Sequence, residues 1–175
     1  MKKVSFYAIL AAAFMTAGLC SCKKDDPTDN FDHLEITYTF ETNDQSKQCF
    51  DTKLEFLCDG TIVDSDYFNV VKMTGELEDE RLVPNSTITV RTVPELVKDL
   101  PATLDPKLDF EIIVSAINKS GEVLDSYSVK ERRSLTQPVD LSTEDGKKSA
   151  LALFTIDFKV KVKKIDGTIS IESAE

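Results

Sequence analysis

His33 is the one histidine of the chain, and it stands beside Asp32 just ahead of an alternating apolar segment. A catalytic triad that depends on histidine must therefore use His33. The alternative is a solvated histidine at the start of a strand. A zinc site of the usual kind needs about four Cys or His ligands, and His33, Cys49 and Cys58 are the three candidates outside the N-terminal segment. We therefore expect no metal, no cofactor and no catalytic residues.

Acidic residues are abundant, but their spacing marks no catalytic pair, so a count alone leaves a glycosidase-like arrangement open. Asp64-Ser65-Asp66 and the segment 140–145 offer oxygen ligands for calcium. Neither has the central glycine and terminal glutamate of the 12-residue calcium loop, and an acidic surface loop is the alternative for both.

Cys49 and Cys58 are the two cysteines of the chain beyond residue 22. If the residues between them form one strand, their Cα atoms lie roughly 30 Å apart, far beyond the distance that a disulfide spans. A bridge requires a turn near Asp51-Thr52. The alternative is that Cys58 is a small buried apolar residue.

Exposed aromatic rings and basic pairs could form contacts with a partner. Tyr38 is in phase with neighbouring apolar residues and is expected in the core, which leaves Tyr67 and Tyr127 as candidate ligand platforms. Arg132-Arg133 predicts either a protease site in an exposed loop or solvated charge at the end of a strand.

Period-two alternation of apolar and polar residues predicts strands that position these side chains. It runs through 34–40, 54–58, 87–91, 110–117 and 154–162, with a bulge expected near residue 153. Asp59-Gly60, Asn118 to Gly121 and Asp166-Gly167 are turn signals between strands. We interpret 75–81 as an acidic loop and 94–100 as one or two helical turns between prolines.

About eight strands and no helix longer than two turns predict an all-β fold, a single β-sandwich over 32–175. Its architecture resembles the immunoglobulin-like domains of bacterial surfaces. The resemblance is limited to architecture, because the chain has no tryptophan and no cysteine pair of the antibody type.

Residues 1–21 have the basic start, apolar run and small residues of an export signal. The apolar run holds about a dozen residues, fewer than the roughly 20 that a membrane-spanning helix requires. Residues 22–31 are almost entirely charged, polar or proline, the composition of a flexible tether. An ordinary secretory signal is the alternative.

Leu19-Cys20-Ser21-Cys22 resembles the lipobox of bacterial lipoproteins, with Cys22 as the modified residue; Cys20 fits the frame less well. The resemblance implies a diacylglycerol and an N-acyl chain on Cys22, which together make release from a membrane negligible. The following Lys23-Lys24-Asp25-Asp26 resembles the signal that sends Bacteroidota-type lipoproteins to the outer face of the outer membrane.

Charge narrows the choice of partner. Residues 1–21 hold two of the 21 basic and none of the 31 acidic residues, so the remainder carries a formal charge of −12. This negative charge argues against a nucleic-acid partner, because nucleic acid binds clustered Lys and Arg.

The chain resembles small surface lipoproteins of uncharacterised families. We expect a non-catalytic, lipid-anchored module that binds a protein or glycan; the alternatives are an accessory component of a nutrient-uptake complex and a fimbrial subunit.

Overall fold

The computed structural model describes residues 30–174, so the predicted signal, Cys22 and most of the predicted tether lie outside the described residues. The described part contains eleven strands and two helices. In chain order they are β1 (Phe31–Thr42), α1 (Asp44–Cys49), β2 (Phe50–Cys58), β3 (Thr61–Phe68), β4 (Lys72–Glu78), β5 (Thr87–Leu96), β6 (Thr103–Leu104), β7 (Lys107–Asn118), β8 (Val123–Ser134), β9 (Val139–Asp140), α2 (Glu144–Phe154), β10 (Asp157–Ile165) and β11 (Thr168–Ser173).

Two antiparallel sheets form the domain. One has the strand order β4-β1-β7-β8, the other β11-β10-β5-β2-β3, and β6 pairs with β9 in a small ribbon. The predicted all-β sandwich is confirmed. The topology differs from that of an immunoglobulin constant domain, because β2 and β3 pair within one sheet, whereas the second and third strands of that domain lie in different sheets.

The core lies between the inner faces of the sheets. In β1 the buried residues alternate with half-buried ones through Leu34, Ile36, Tyr38 and Phe40, as the sequence predicts. The Tyr38 ring lies 5.1 Å from that of Phe56 in the opposite sheet. Aromatic contacts of this kind join the two layers.

Turn chemistry is confirmed at the hairpins. Asp59 and Gly60 have φ angles of 47° and 80°, and Asp166 and Gly167 have φ angles of 48° and 78°. Two successive positive φ angles match the right-handed twist of the flanking strands, and Asp-Gly adopts them readily. These turns close the β2–β3 and β10–β11 hairpins.

The predicted helical turns at 94–100 are wrong, because β5 continues through Pro94 to Leu96 and pairs with β2 there. Beyond Arg91, β5 no longer pairs with β10. That side is therefore a local edge, where a residue without an N–H group is tolerated. The segment 75–81 is also not wholly a loop, because residues 75–78 belong to β4.

The expected bulge near residue 153 is replaced by α2, whose 11 residues also exceed the predicted limit of two turns. Thr143 caps the helix by accepting a hydrogen bond from the Gly146 N–H. Ala150, Leu153 and Phe154 are buried at helical spacing, so the apolar residues there follow a period of 3.6 and not of two.

None of the helices among residues 30–174 is long and apolar enough to cross a membrane.

The domain has two distinct ends. At the proximal end β1 starts, close to Asn118 and Glu78; at the distal end β1 finishes, close to Leu108 and the last residues of β8. Both helices and the β6-β9 ribbon lie in connections that cross the distal end.

Candidate functional site

Two adjoining hollows, of about 610 and 370 Å³, lie at the distal end. Arg132, Arg133 and Ser134, the last residues of β8, line both of them. We call this pair of hollows the distal groove. One wall comes from α2, through Ser149, Ala152 and Leu153, and the other from the end of β1, the start of α1 and the start of β7.

The wall on the β1 side is held by side-chain bonds to backbone groups. Asn43 caps α1 by accepting from the Ser46 N–H, and its amide donates to the Asp105 carbonyl at 2.8 Å. The Thr42 hydroxyl donates to the Lys107 carbonyl at 2.5 Å. These bonds join the end of β1 to the approach to β7 and hold this wall of the groove in place.

The two arginines have different roles. Arg133 donates to the Thr155 carbonyl at 2.7 Å and to Glu131 at 2.8 Å, and its guanidinium lies 5.0 Å from the centre of the Phe110 ring. It ties β8 to the end of α2. Arg132 pairs with Asp109 across the outer face of the sheet at 3.0 Å, and its side chain is 83% exposed. Arg132 is therefore the guanidinium that a ligand could reach.

Both arginines belong to β8, which favours the interpretation of strand-end charge over that of a protease site in a loop. Three other groove residues, Glu41, Asn43 and Lys107, were missed by sequence reasoning. Glu41 lies near the end of β1, Asn43 caps α1 and Lys107 begins β7, and no motif connects them in the sequence.

The candidate platforms Tyr67 and Tyr127 are not brought together. Tyr67 is 54% exposed on β3, and Tyr127 is half-buried on β8, with its ring 6.1 Å from that of Phe158. β8 contacts β11, which lies at the opposite edge of the five-stranded sheet from β3. The two rings therefore lie on opposite sides of the sandwich and form no common surface.

In the two acidic segments considered for calcium, aspartate side chains accept hydrogen bonds from backbone N–H groups. Asp64 and Asp66 accept from the N–H groups of the residues that follow them, at 2.8 and 2.7 Å. These N–H groups lie on an edge strand, so the carboxylates block pairing with another strand. Asp140 accepts from Ser142 ahead of α2, and this hydrogen bond lowers the pKa of Asp140. Within residues 30–174 neither segment gathers three candidate metal ligands.

Cys49 and Cys58 are both buried and free. Cys49 ends α1 and Cys58 ends β2, so the nine-residue strand β2 lies between them. The turn near Asp51-Thr52 that a bridge requires is absent, because these residues pair regularly with β5. The possible disulfide is therefore not formed, for the reason of spacing that the sequence gives.

His33 belongs to β1 and is half-buried, rather than a solvated residue ahead of the first strand. Its Nδ1 lies 2.9 Å from Asp32 Oδ2, and its Nε2 lies 3.4 Å from Glu78 Oε1. The two ring nitrogens face carboxylates, so the described contacts give His33 no nucleophile to activate. The pKa of His33 is raised, chiefly by the hydrogen bond to Asp32.

Comparison of the chain with protein-family models, with curated proteins and with solved structures gives no match.

Proposed function

We propose that this protein is a lipid-anchored surface lipoprotein of the outer membrane, and that its domain binds a protein or glycan partner without catalysing a reaction. The observation that carries the proposal is that the tether and the distal groove lie at opposite ends of the domain. β1 follows the predicted tether at the proximal end, and the distal groove lies at the opposite end. Nine residues from Cys22 to Asn30 span at most about 30 Å, so an anchored domain would direct its groove away from the bilayer.

The chemistry of the distal groove suits recognition of a polar partner. Arg132, Lys107 and Glu41 supply both signs of charge, and Asn43 and Ser134 supply neutral hydrogen-bonding groups. The α2 wall adds the apolar side chains of Ala152 and Leu153. A surface with mixed polar and apolar groups resembles the rim and core of a protein interface.

A fimbrial subunit that exchanges strands is a weaker candidate, because Asp64 and Asp66 occupy the N–H groups of edge strand β3. At the other side, Asp125 of β8 accepts from the Ile171 N–H of β11 at 2.7 Å. This bond crosses from one sheet to the other and ties two edge strands together. Strand addition at either position would first have to break these bonds.

The anchor is tested by comparing Cys22→Ser with Cys20→Ser in cells labelled with a fatty acid. Loss of label and of membrane retention in Cys22→Ser alone is the expected result, since Cys22 is in the lipobox frame. The reverse result would assign the lipid to Cys20, and absence of label from the wild type would reject the anchor.

The binding role is tested by capture of the tagged chain from intact cells in a mild detergent, followed by mass spectrometry. We expect a partner that is retained by the wild type and by the control Lys161→Ala, and reduced in Arg132→Ala. Lys161 is an exposed basic residue on β10, in the other sheet. A transporter among the captured proteins would favour nutrient uptake, and pilin-like subunits would favour assembly. Equal capture by Arg132→Ala would reject the distal groove as the contact.

A further inference from the structure

A second cluster of chemical groups lies at the proximal end, on the outer face of the four-stranded sheet. His33 and Glu35 are two residues apart on β1 and so share a face. Glu78 of β4 is the direct partner of Glu35 in the strand pairing. One ligand atom from each of these three side chains lies within 4.8 Å of the others. We call this cluster the His33 corner.

The carboxylate of Asp32 fixes the orientation of the His33 ring. The register between β1 and β7 shifts between Phe31 and His33, which removes Asp32 from regular pairing. The Asp32 carboxylate lies beside His33 Nδ1 at 2.9 Å and holds the ring with Nε2 towards the glutamates. Histidine ligands of metal ions are oriented in this way, by a carboxylate on the nitrogen that does not bind the metal.

His33 Nε2 is itself buried and has no hydrogen-bond partner among the described residues. Buried polar atoms are normally satisfied. The contact with Glu78 is an ion pair only when the imidazole is protonated, so the neutral ring leaves Nε2 as a position for a metal ligand. Its distance of 3.4 Å from Glu78 Oε1 equals the edge of a tetrahedron with metal–ligand distances of about 2.1 Å. The corner therefore has the donor atoms of a metal site, with all three within 4.8 Å of one another and one pair at the tetrahedral spacing.

The corner also concentrates negative charge. The carboxylates of Asp32, Glu35 and Glu78 all lie close to the His33 ring. Carboxylates that disfavour one another's ionised forms gain from a cation placed between them.

We propose that His33, Glu35 and Glu78 form a binding site for one divalent transition-metal ion of the zinc type, with Asp32 as the residue that positions His33. One imidazole nitrogen and two carboxylate oxygens suit zinc, and water completes the coordination. Calcium takes oxygen ligands and gains nothing from the imidazole. The sequence-based argument against zinc counted only Cys and His ligands, whereas the pairing of β1 with β4 brings two glutamates beside His33.

Isothermal titration of the full chain, purified in a mild detergent with a tag that lacks histidine, tests the site with Zn²⁺ as the only added ligand. We expect one Zn²⁺ per chain, with proton release that shows as different heats in two buffers of different ionisation enthalpy. His33→Ala and Glu78→Gln should lose this saturable binding. Asp32→Ala should weaken it by about 10–100-fold. Glu95→Gln, an exposed glutamate at the distal end of β5, should bind like the wild type.

Three results would overturn the proposal: no saturable Zn²⁺ binding by the wild type, wild-type affinity in either ligand variant, or Ca²⁺ titrating with the affinity of Zn²⁺. Thermal unfolding without metal checks that each variant is folded. Glu78 is 55% exposed, so Glu78→Gln retains the fold and decides the question if His33→Ala does not.

Discussion

Gly75→Ala tests how the core closes at edge strand β4. Gly75 is the pairing partner of Tyr38 in the β1–β4 register. A Cβ atom at Gly75 would lie 2.9 Å from Tyr38 Cε2 and closer still to Cζ and the hydroxyl oxygen. The ring has little room to retreat, because it is buried with its centre 6.0 Å from that of Phe40 and 5.1 Å from that of Phe56. Position 75 therefore requires glycine, because the Tyr38 ring occupies the space that a Cβ atom would need.

The magnitude follows from two opposing effects. Overpacking a filled core costs about 1–3 kcal/mol, and replacing a glycine within a strand returns about 0.5–1 kcal/mol. The centres of these two ranges differ by a little over 1 kcal/mol, so we expect Gly75→Ala to lower the free energy of unfolding by about 1 kcal/mol. For a domain of this size that corresponds to a fall in Tm of roughly 2–4 °C.

Denaturant unfolding of a double-mutant cycle with Tyr38→Leu measures the coupling. In the Tyr38→Leu background the clash is absent, so Gly75→Ala should keep only the strand gain of about 0.5–1 kcal/mol, and the interaction energy should equal the overpacking cost of about 1–3 kcal/mol. Thr74→Ala, on the exposed face of the same strand, should change stability by no more than about 0.5 kcal/mol. The reasoning is refuted if Gly75→Ala is as stable as the parent, or if its effect is the same in both backgrounds.

Three further predictions concern pH, a helix cap and the thiols. The hydrogen bonds from Arg81 hold the pKa of Asp79 at about 2, below its usual 3.8. The stabilisation from these hydrogen bonds is therefore present above pH 3.8 and lost as the pH falls towards 2. In an acid titration followed by circular dichroism, Asp79→Asn should lose less stability over this pH range than the wild type does. An equal loss of stability in both proteins would contradict the role of the Asp79–Arg81 pair. Thr143→Ala removes the cap of α2 and should reduce stability by about 1 kcal/mol in denaturant unfolding; no change would mean that another group satisfies the helix start. Cys49 and Cys58 are buried and free, so a thiol reagent should modify them only after unfolding, and recovery of a disulfide-linked Cys49–Cys58 peptide from the native chain would be the opposite result.

Strands whose side chains alternate between core and solvent were predictable from the sequence. β1 is the clearest case, because Leu34 to Phe40 alternates without interruption and one face is buried. Asp-Gly turns were predictable for a related reason, since the conformation of a tight turn depends on the residues within it. These features are local and need no knowledge of the partners.

Errors arose where the sequence signal was ambiguous or the partner mattered. The alternation at 154–162 predicted a bulge near residue 153, but the cap at Thr143 and the burial of Ala150 and Phe154 show a helix. A short apolar segment fits both periods. Pro94 suggested a helix start, yet it lies in β5 beyond the reach of β10. Strand β4 was missed because its edge position leaves four of its seven residues exposed.

The sequence by itself determined the class of fold, the hairpin turns and the chemical types available, because these depend on side-chain periodicity and on residues close together in the chain. Only the tertiary structure decided which groups meet. Strand pairing brings Glu78 to His33 and Glu35, and the ends of β1, β7 and β8 together with α2 form the distal groove. The physical reason is that strand register and sheet order depend on the packing of the whole core, so residues more than 40 positions apart become neighbours without any signal in the sequence between them.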